Sequence, residues 1–169
     1  MNTRIILSII GPDKPGIVSD ISEIVKNHLG NIEKSRMIRL GDFFTIMVLI
    51  TINREDITNL NNELINYSDY KISIHELADT FKDINKDIYT IHLNGMDTDG
   101  LVYNITHELS KLGINIEELR TNIGNAPMSG LALFSLTAKV THPKLDYTLL
   151  KEKMGALASK LDINIIIEN

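Results

Sequence analysis

The pattern Gly-x-Asp-x-x-Gly-(Ile/Leu)-Val occurs twice in this chain, as GPDKPGIV from Gly11 to Val18 and as GMDTDGLV from Gly95 to Val102, 84 residues apart. The spacing holds outside the pattern: Ile21 matches Ile105, Asn31 matches Asn115, Ile32-Glu33 matches Ile116-Glu117, and Arg36 matches Arg120. A repeat of this period means two copies of one fold unit, so the 169 residues divide into two small domains. The expected division is 1–79, a short polar linker at 80–86, and 87–169. Units of this size bury only about 60 to 65% of their unfolded surface, so the halves are expected to lean on each other or on a second chain, and oligomerisation is the default expectation, a homodimer in the leading reading.

Within the first copy, the apolar run Ile5 to Ile10 ends at Gly11-Pro12 and reads as a strand followed by a tight loop. Ile17, Val18, Ile21, Ile24, Val25 and Leu29 keep helical spacing, with Gly30 as the expected stop. About Ile32 to Leu40 and Phe43 to Ile52 form a hairpin around Gly41-Asp42, a second helix spans about 54–67, and Tyr70 to Leu77 closes as a fourth strand. The second copy repeats the order. There the glycine stop is Gly113, one residue short of the 84-residue offset from Gly30, and the hairpin is about three residues longer, with Gly124, Asn125, Ala126, Pro127, Ser129 and Gly130 in its tip. The order βαββαβ, twice, predicts an α+β chain of two tandem ferredoxin-like domains, each an antiparallel sheet with both helices on one face. The third strand is apolar on both faces, Phe44, Ile46, Val48 and Ile50 on one and Phe43, Met47 and Leu49 on the other. Either a protein surface covers the second face, or this is simply the best-buried central strand.

Several function classes lose support. With 17 basic and 22 acidic residues, net charge −5 and no basic run, nothing resembles a nucleic-acid backbone binder. No apolar stretch spans a bilayer, the N-terminal run lacks a signal-peptide pattern, and the absence of cysteine fits a reducing, cytoplasmic setting. The five histidines lack metal-ligand spacing, and no nucleophile elbow, Walker loop or dinucleotide fingerprint is present, so no metal, cofactor or catalytic residue is expected.

Chemistry therefore centres on the duplicated loops. Each joins a strand to a helix N-terminus, where unpaired N–H groups and the helix dipole favour a small anion by about 0.3 to 1 kcal/mol. Gly16 and Gly100 leave room for a ligand against the main chain. Asp13 and Asp97 have two readings: helix caps first, or acceptors for a ligand's ammonium group. Lys14-Pro15 in the first loop becomes Thr98-Asp99 in the second, so an anionic group prefers the first; Lys14 also fits a plain solvated surface role. Asn31 and Asn115, just after the helix stop, suit turn geometry or an amide contact to an amino acid.

The stretches Gly11 to Val18, Leu29 to Glu33, Ser35-Arg36, Gly41 and Phe44 to Leu49 resemble the ACT domain, a ligand-sensing regulatory module. The tandem pair, with Asn115 to Arg120 and the long second hairpin, is similar to the glycine cleavage system transcriptional repressor family. That resemblance implies a non-catalytic regulator that senses a small amino acid, often glycine, and acts by contact with a LysR-type transcription factor. It places ligand contacts at Asp13, Lys14, Pro15, Gly16, Ile17 and Asn31, and in the second copy at Asp97, Thr98, Asp99, Gly100, Leu101 and Asn115. The second loop departs from the commoner Asp-x-Pro-Gly pattern. Two other classes stay open: an assembly module that binds no small molecule, and a small enzyme built on the first loop.

Overall fold

Ile5, Leu7 and Ile9 are fully buried along β1 (Asn2–Pro12) and alternate with more exposed neighbours, which fixes the covered face of the first sheet. In the computed structural model, which describes residues 1–78, 87–125 and 130–168, β1 pairs antiparallel with β3 (Phe43–Asn53) on one side and β4 (Lys71–Glu76) on the other. Strand β2 (Asn31–Leu40) pairs with β3, giving the order β2-β3-β1-β4. Helices α1 (Ile17–Asn27) and α2 (Ile57–Leu64) close one face: Ile17, Ile21, Ile24, Leu60 and Leu64 join the strand residues in a single core. This is a ferredoxin-like βαββαβ unit.

The second unit repeats it with β5 (Ile88–Met96), α3 (Leu101–Lys111), β6 (Asn115–Asn125), β7 (Ala132–Thr141), α4 (Tyr147–Leu161) and β8 (Asn164–Glu168) in the order β6-β7-β5-β8. Its own core holds Ile91, Leu93, Ile105, Leu136, Leu150 and Met154. The chain divides into units Met1–Asp83 and Ile84–Asn169. The expected linker at 80–86 and the hairpin tip at 126–129 lie outside the described residues. Among the described residues no helix is long and apolar enough to cross a membrane.

Several local expectations need correction. Gly30 is not the left-handed residue after α1; Leu29 is, at φ 54°. Its counterpart 84 residues on is Gly113, at φ 68°, so the apparent one-residue slip between the copies does not exist. Gly30 is small for another reason: a Cβ there would lie 2.8 Å from Val25 Cγ1 and 3.1 Å from Ile50 Cγ2. The second helix is shorter than its periodicity suggests, because Arg54–Asp56 forms a 3-10 turn and Ile65 ends up exposed. The second hairpin is longer than expected. Arg36 pairs with Met47 and Arg120 with Thr137, separations of 11 and 17 residues, so the insertion is six.

Both second strands bulge at the same place, at Glu33 and Glu117. Each of these carboxylates accepts a hydrogen bond from a threonine on the neighbouring strand, Thr51 and Thr141 respectively. Strand β3 is interior, yet only one of its faces is buried. Phe43 and Met47, on the other, are 59% and 51% exposed, so the reading of a central strand buried on both sides fails.

Candidate functional site

The two glycines that both loops share do different work. A Cβ on Gly11 would lie 2.2 Å from Tyr70 Cδ1, and one on Gly95 would lie 2.4 Å from Ile163 Cγ2. The first glycine thus makes room for a side chain placed just before the last strand of its own unit. Gly16 and Gly100 are left-handed, at φ 92° and 81°, and stand at the N-cap positions of α1 and α3. Only glycine takes that conformation without steric cost. The next residue, Ile17 or Leu101, turns into the core.

Glycine at the cap position also corrects the reading of the aspartates, because neither helix has a side-chain cap. The Asp13 N–H donates to the Asp42 carbonyl at 2.9 Å, and its carboxylate meets Arg39 Nε at 3.1 Å. Asp13 ties the loop to the β2–β3 hairpin and leaves the first-turn N–H groups of α1 without a side-chain acceptor. The Asp97 N–H likewise donates to the Ala132 carbonyl at 3.1 Å.

Lys14 is not merely solvated. Its Nζ donates to Asp69 Oδ2 at 2.7 Å and lies 6.0 Å from the centroid of the Tyr70 ring. The hydrogen bond and charge of Asp69 raise the Lys14 pKa, and the same bond and charge hold the Asp69 carboxyl below its usual range. Both groups are well exposed, so the pair adds little to stability. It does define one place: Lys14, Pro15, Ile17, Asp20, Tyr67, Asp69 and Tyr70 are among the residues lining a cleft of about 260 Å³. Asp69 and Tyr70 leave no mark in the sequence pattern, since a turn residue 55 positions from Lys14 carries no local signal.

The remaining expected residues separate from this cleft. Gly16 lies in the same loop with open space around it. Asn31 pairs with Thr51, whereas the loop leaves β1 opposite Phe43; eight residues of strand put them about 25 Å apart within the unit. Asn115 sits equally far from its own loop, opposite Thr141, and its amide donates to Glu117 at 2.8 Å. Asp97, Thr98 and Asp99 are exposed, and Thr98 stands where Lys14 does, so the second loop lacks the cation. Among the described residues no group of three or more His, Asp or Glu side chains is placed to hold a metal.

A family profile described as the ACT domain matches residues 3–71, the stretch that carries this loop, cleft and sheet. The first unit is an ACT domain. The second repeats its fold element by element. Among related sequences, a UPF0237 protein of Methanopyrus kandleri is 36% identical over 56 residues, which covers 33% of this chain and 62% of the relative. A UPF0237 protein of Methanococcus maripaludis is 30% identical over 60 residues, covering 34% and 67%. The chain therefore spans about two thirds of the length of the curated relatives it matches. Over the whole length, the crystal structure of an unknown protein from Galdieria sulphuraria is similar at TM-score 0.89 and 29% identity, covering 99% of this chain and 98% of that one. A protein provisionally named a glycine cleavage system transcriptional repressor has the same fold at TM-score 0.71 and 19% identity, with 99% and 97% covered.

Proposed function

We propose that the chain is a non-catalytic, cytoplasmic regulator whose first ACT domain senses a small amino acid and whose response passes to another protein by contact. The observation that carries this reading is the Lys14–Asp69 pair on a cleft of about 260 Å³ beside a helix N-terminus that no side chain caps. A zwitterion matches those charges. Its carboxylate suits Lys14 and the uncapped N-terminus of α1, its ammonium suits Asp69, and the cleft has room for a small amino acid such as glycine. The second loop, with Thr98 and Asp99, offers no cation and takes an anion less well. Asn31 lies too far from its own loop to touch this ligand, and reaches one only across an interface between copies.

Strand β2 supports such an interface: all ten residues are exposed and its outer edge is unpaired. An exposed edge of this kind is a template for a second strand, which fits a homodimer. The resemblance to the glycine cleavage system repressor family makes a LysR-type transcription factor the first partner to try.

A thermal-shift panel of the common amino acids tests the sensor. Glycine or another small amino acid, at 100 times its dissociation constant, should add about 2.7 kcal/mol, and both Lys14→Ala and Asp69→Asn should abolish the gain. No shift with any amino acid would remove the sensing role and leave assembly as the function.

A further inference from the structure

The two copies share one sheet topology, yet their open faces, the ones turned away from the helices, have diverged in chemistry. In the first unit, residues paired across strands with non-core positions share the open face: Ile6 and Ile10 on β1, Phe43, Met47 and Leu49 on β3, Ile38 on β2. The same register positions in the second unit are Thr90 and Asn94, Leu133, Thr137 and Lys139, and Asn122. The second face also satisfies its own charges, since Lys139 and Arg120 both meet Glu118. It still exposes Ile88, Met96, Leu133 and Ile166 toward its margins, but its centre, Thr90, His92, Thr137 and Lys139, is polar and suited to water. The first face is not, since Ile10, Ile38, Phe43 and Met47 are all exposed.

Its charges are one-sided as well. Lys34 pairs in register with Leu49, Arg36 with Met47 and Lys71 with Ile10, which frames the apolar patch with three cations on its two edges. Among the described residues none of the three meets a carboxylate. The acid on this side, Glu33, is already held by Arg4 at 3.0 Å. A second copy of the same face would bring like charges together, so self-association there is opposed.

We infer that the open sheet face of the first unit docks a segment of another protein that presents an apolar stripe flanked by carboxylates. The apolar side chains supply the missing layer over a one-sided sheet, and the cations select an acidic partner. A sheet with side chains in fixed register suits a packed protein layer better than a bilayer, which is entered by amphipathic helices. This surface does not depend on the loop ligand.

The test is a binding titration of the full chain with two synthetic amphipathic helices, one of leucine and glutamate and one of leucine and lysine. The glutamate helix should bind, weaken with salt, and lose roughly tenfold in affinity to Arg36→Glu, while the lysine helix should not bind. The double variant Phe43→Ser, Met47→Ser changes exposed positions and should abolish binding with the circular-dichroism melt retained. Equal binding of both helices, binding of neither, or binding that survives the double variant would overturn the inference. So would a wild-type dimer in sedimentation that the double variant dissociates, or preference for anionic phosphatidylserine vesicles over the peptide.

Discussion

Replacing Gly11 by alanine isolates one contact. Gly11 is not left-handed, so the new methyl group brings no backbone strain; its whole effect is the approach to Tyr70, with Cδ1 at 2.2 Å, Cε1 at 2.8 Å and Cγ at 3.0 Å. Those atoms are the near edge of the ring, and a small swing of the far end does not relieve them. The ring must move by more than 1 Å, against Phe44, whose centroid lies 5.9 Å away in an edge-to-face contact. Overpacking of this kind costs about 1 to 3 kcal/mol, and partial loss of the aromatic pair adds about 0.5 to 1. An expected total near 2.5 kcal/mol corresponds to a drop of roughly 10 to 20 °C for a unit of this size. The assay is a urea titration followed by hydrogen exchange, read separately for peptides of each unit, because the chain need not unfold in one step. The decisive arm repeats Gly11→Ala in a Tyr70→Ala background, where its cost should fall below about 0.5 kcal/mol and leave a coupling energy near 2 kcal/mol. An equal cost in both backgrounds would refute the argument, and so would a neutral Gly11→Ala.

The second copy should be less forgiving. In Gly95→Ala the methyl meets Ile163 at Cγ2, Cβ and the Cα itself, at 2.4, 3.1 and 3.5 Å, and a β-branched side chain with its backbone that close cannot rotate away; the loss of stability should exceed that of Gly11→Ala in the same assay. The pH behaviour of the cleft follows from the Lys14–Asp69 pair. Asp69 is depressed in the folded state, so its contribution is present above the ordinary aspartate value of 3.8 and is lost as pH falls through the lower folded value. Carboxyl-carbon NMR should find Asp69 titrating below 3.8 in wild type and close to 3.8 in Lys14→Ala; an unchanged midpoint would mean the pair is not formed in solution.

Most of the fold is legible in the sequence because it is carried by local periodicity. Alternation along β1, helical spacing from Ile17 to Val25 and the offset of 84 residues each act over a few neighbours, and they lead to the observed element order. The site is less legible, for two physical reasons. Which residue takes the left-handed turn is a backbone property: Leu29 adopts it beside a glycine that is required only for space, and Gly16 displaces Asp13 from the cap. Long-range partners leave no local trace. Arg39 claims Asp13 and Asp69 claims Lys14, while register carries Asn31 to the far end of the sheet from the loop it follows. The uncovered strand face is a middle case. Phe43, Met47 and Leu49 announce it in the sequence, but the contrast with Thr137 and Lys139 needs the register, since the six-residue insertion hides which positions correspond.

The Lys14–Asp69 contact joins the first loop of the domain to the turn before its last strand, and Tyr70 seated over Gly11 joins the same two segments a second time. Together they act as a clasp on a long circuit of chain that contains α1, β2, β3 and α2. A molecule lodged between Lys14 and Asp69 would tighten or open that clasp at its outer side while Tyr70 holds the inner one. Strand β4 begins one residue after Tyr70 and pairs antiparallel with β1, the strand that leads into the first loop. Any strain on the clasp is therefore delivered to the Lys71 end of β4 and, through its pairing with Ile10, back to the end of β1.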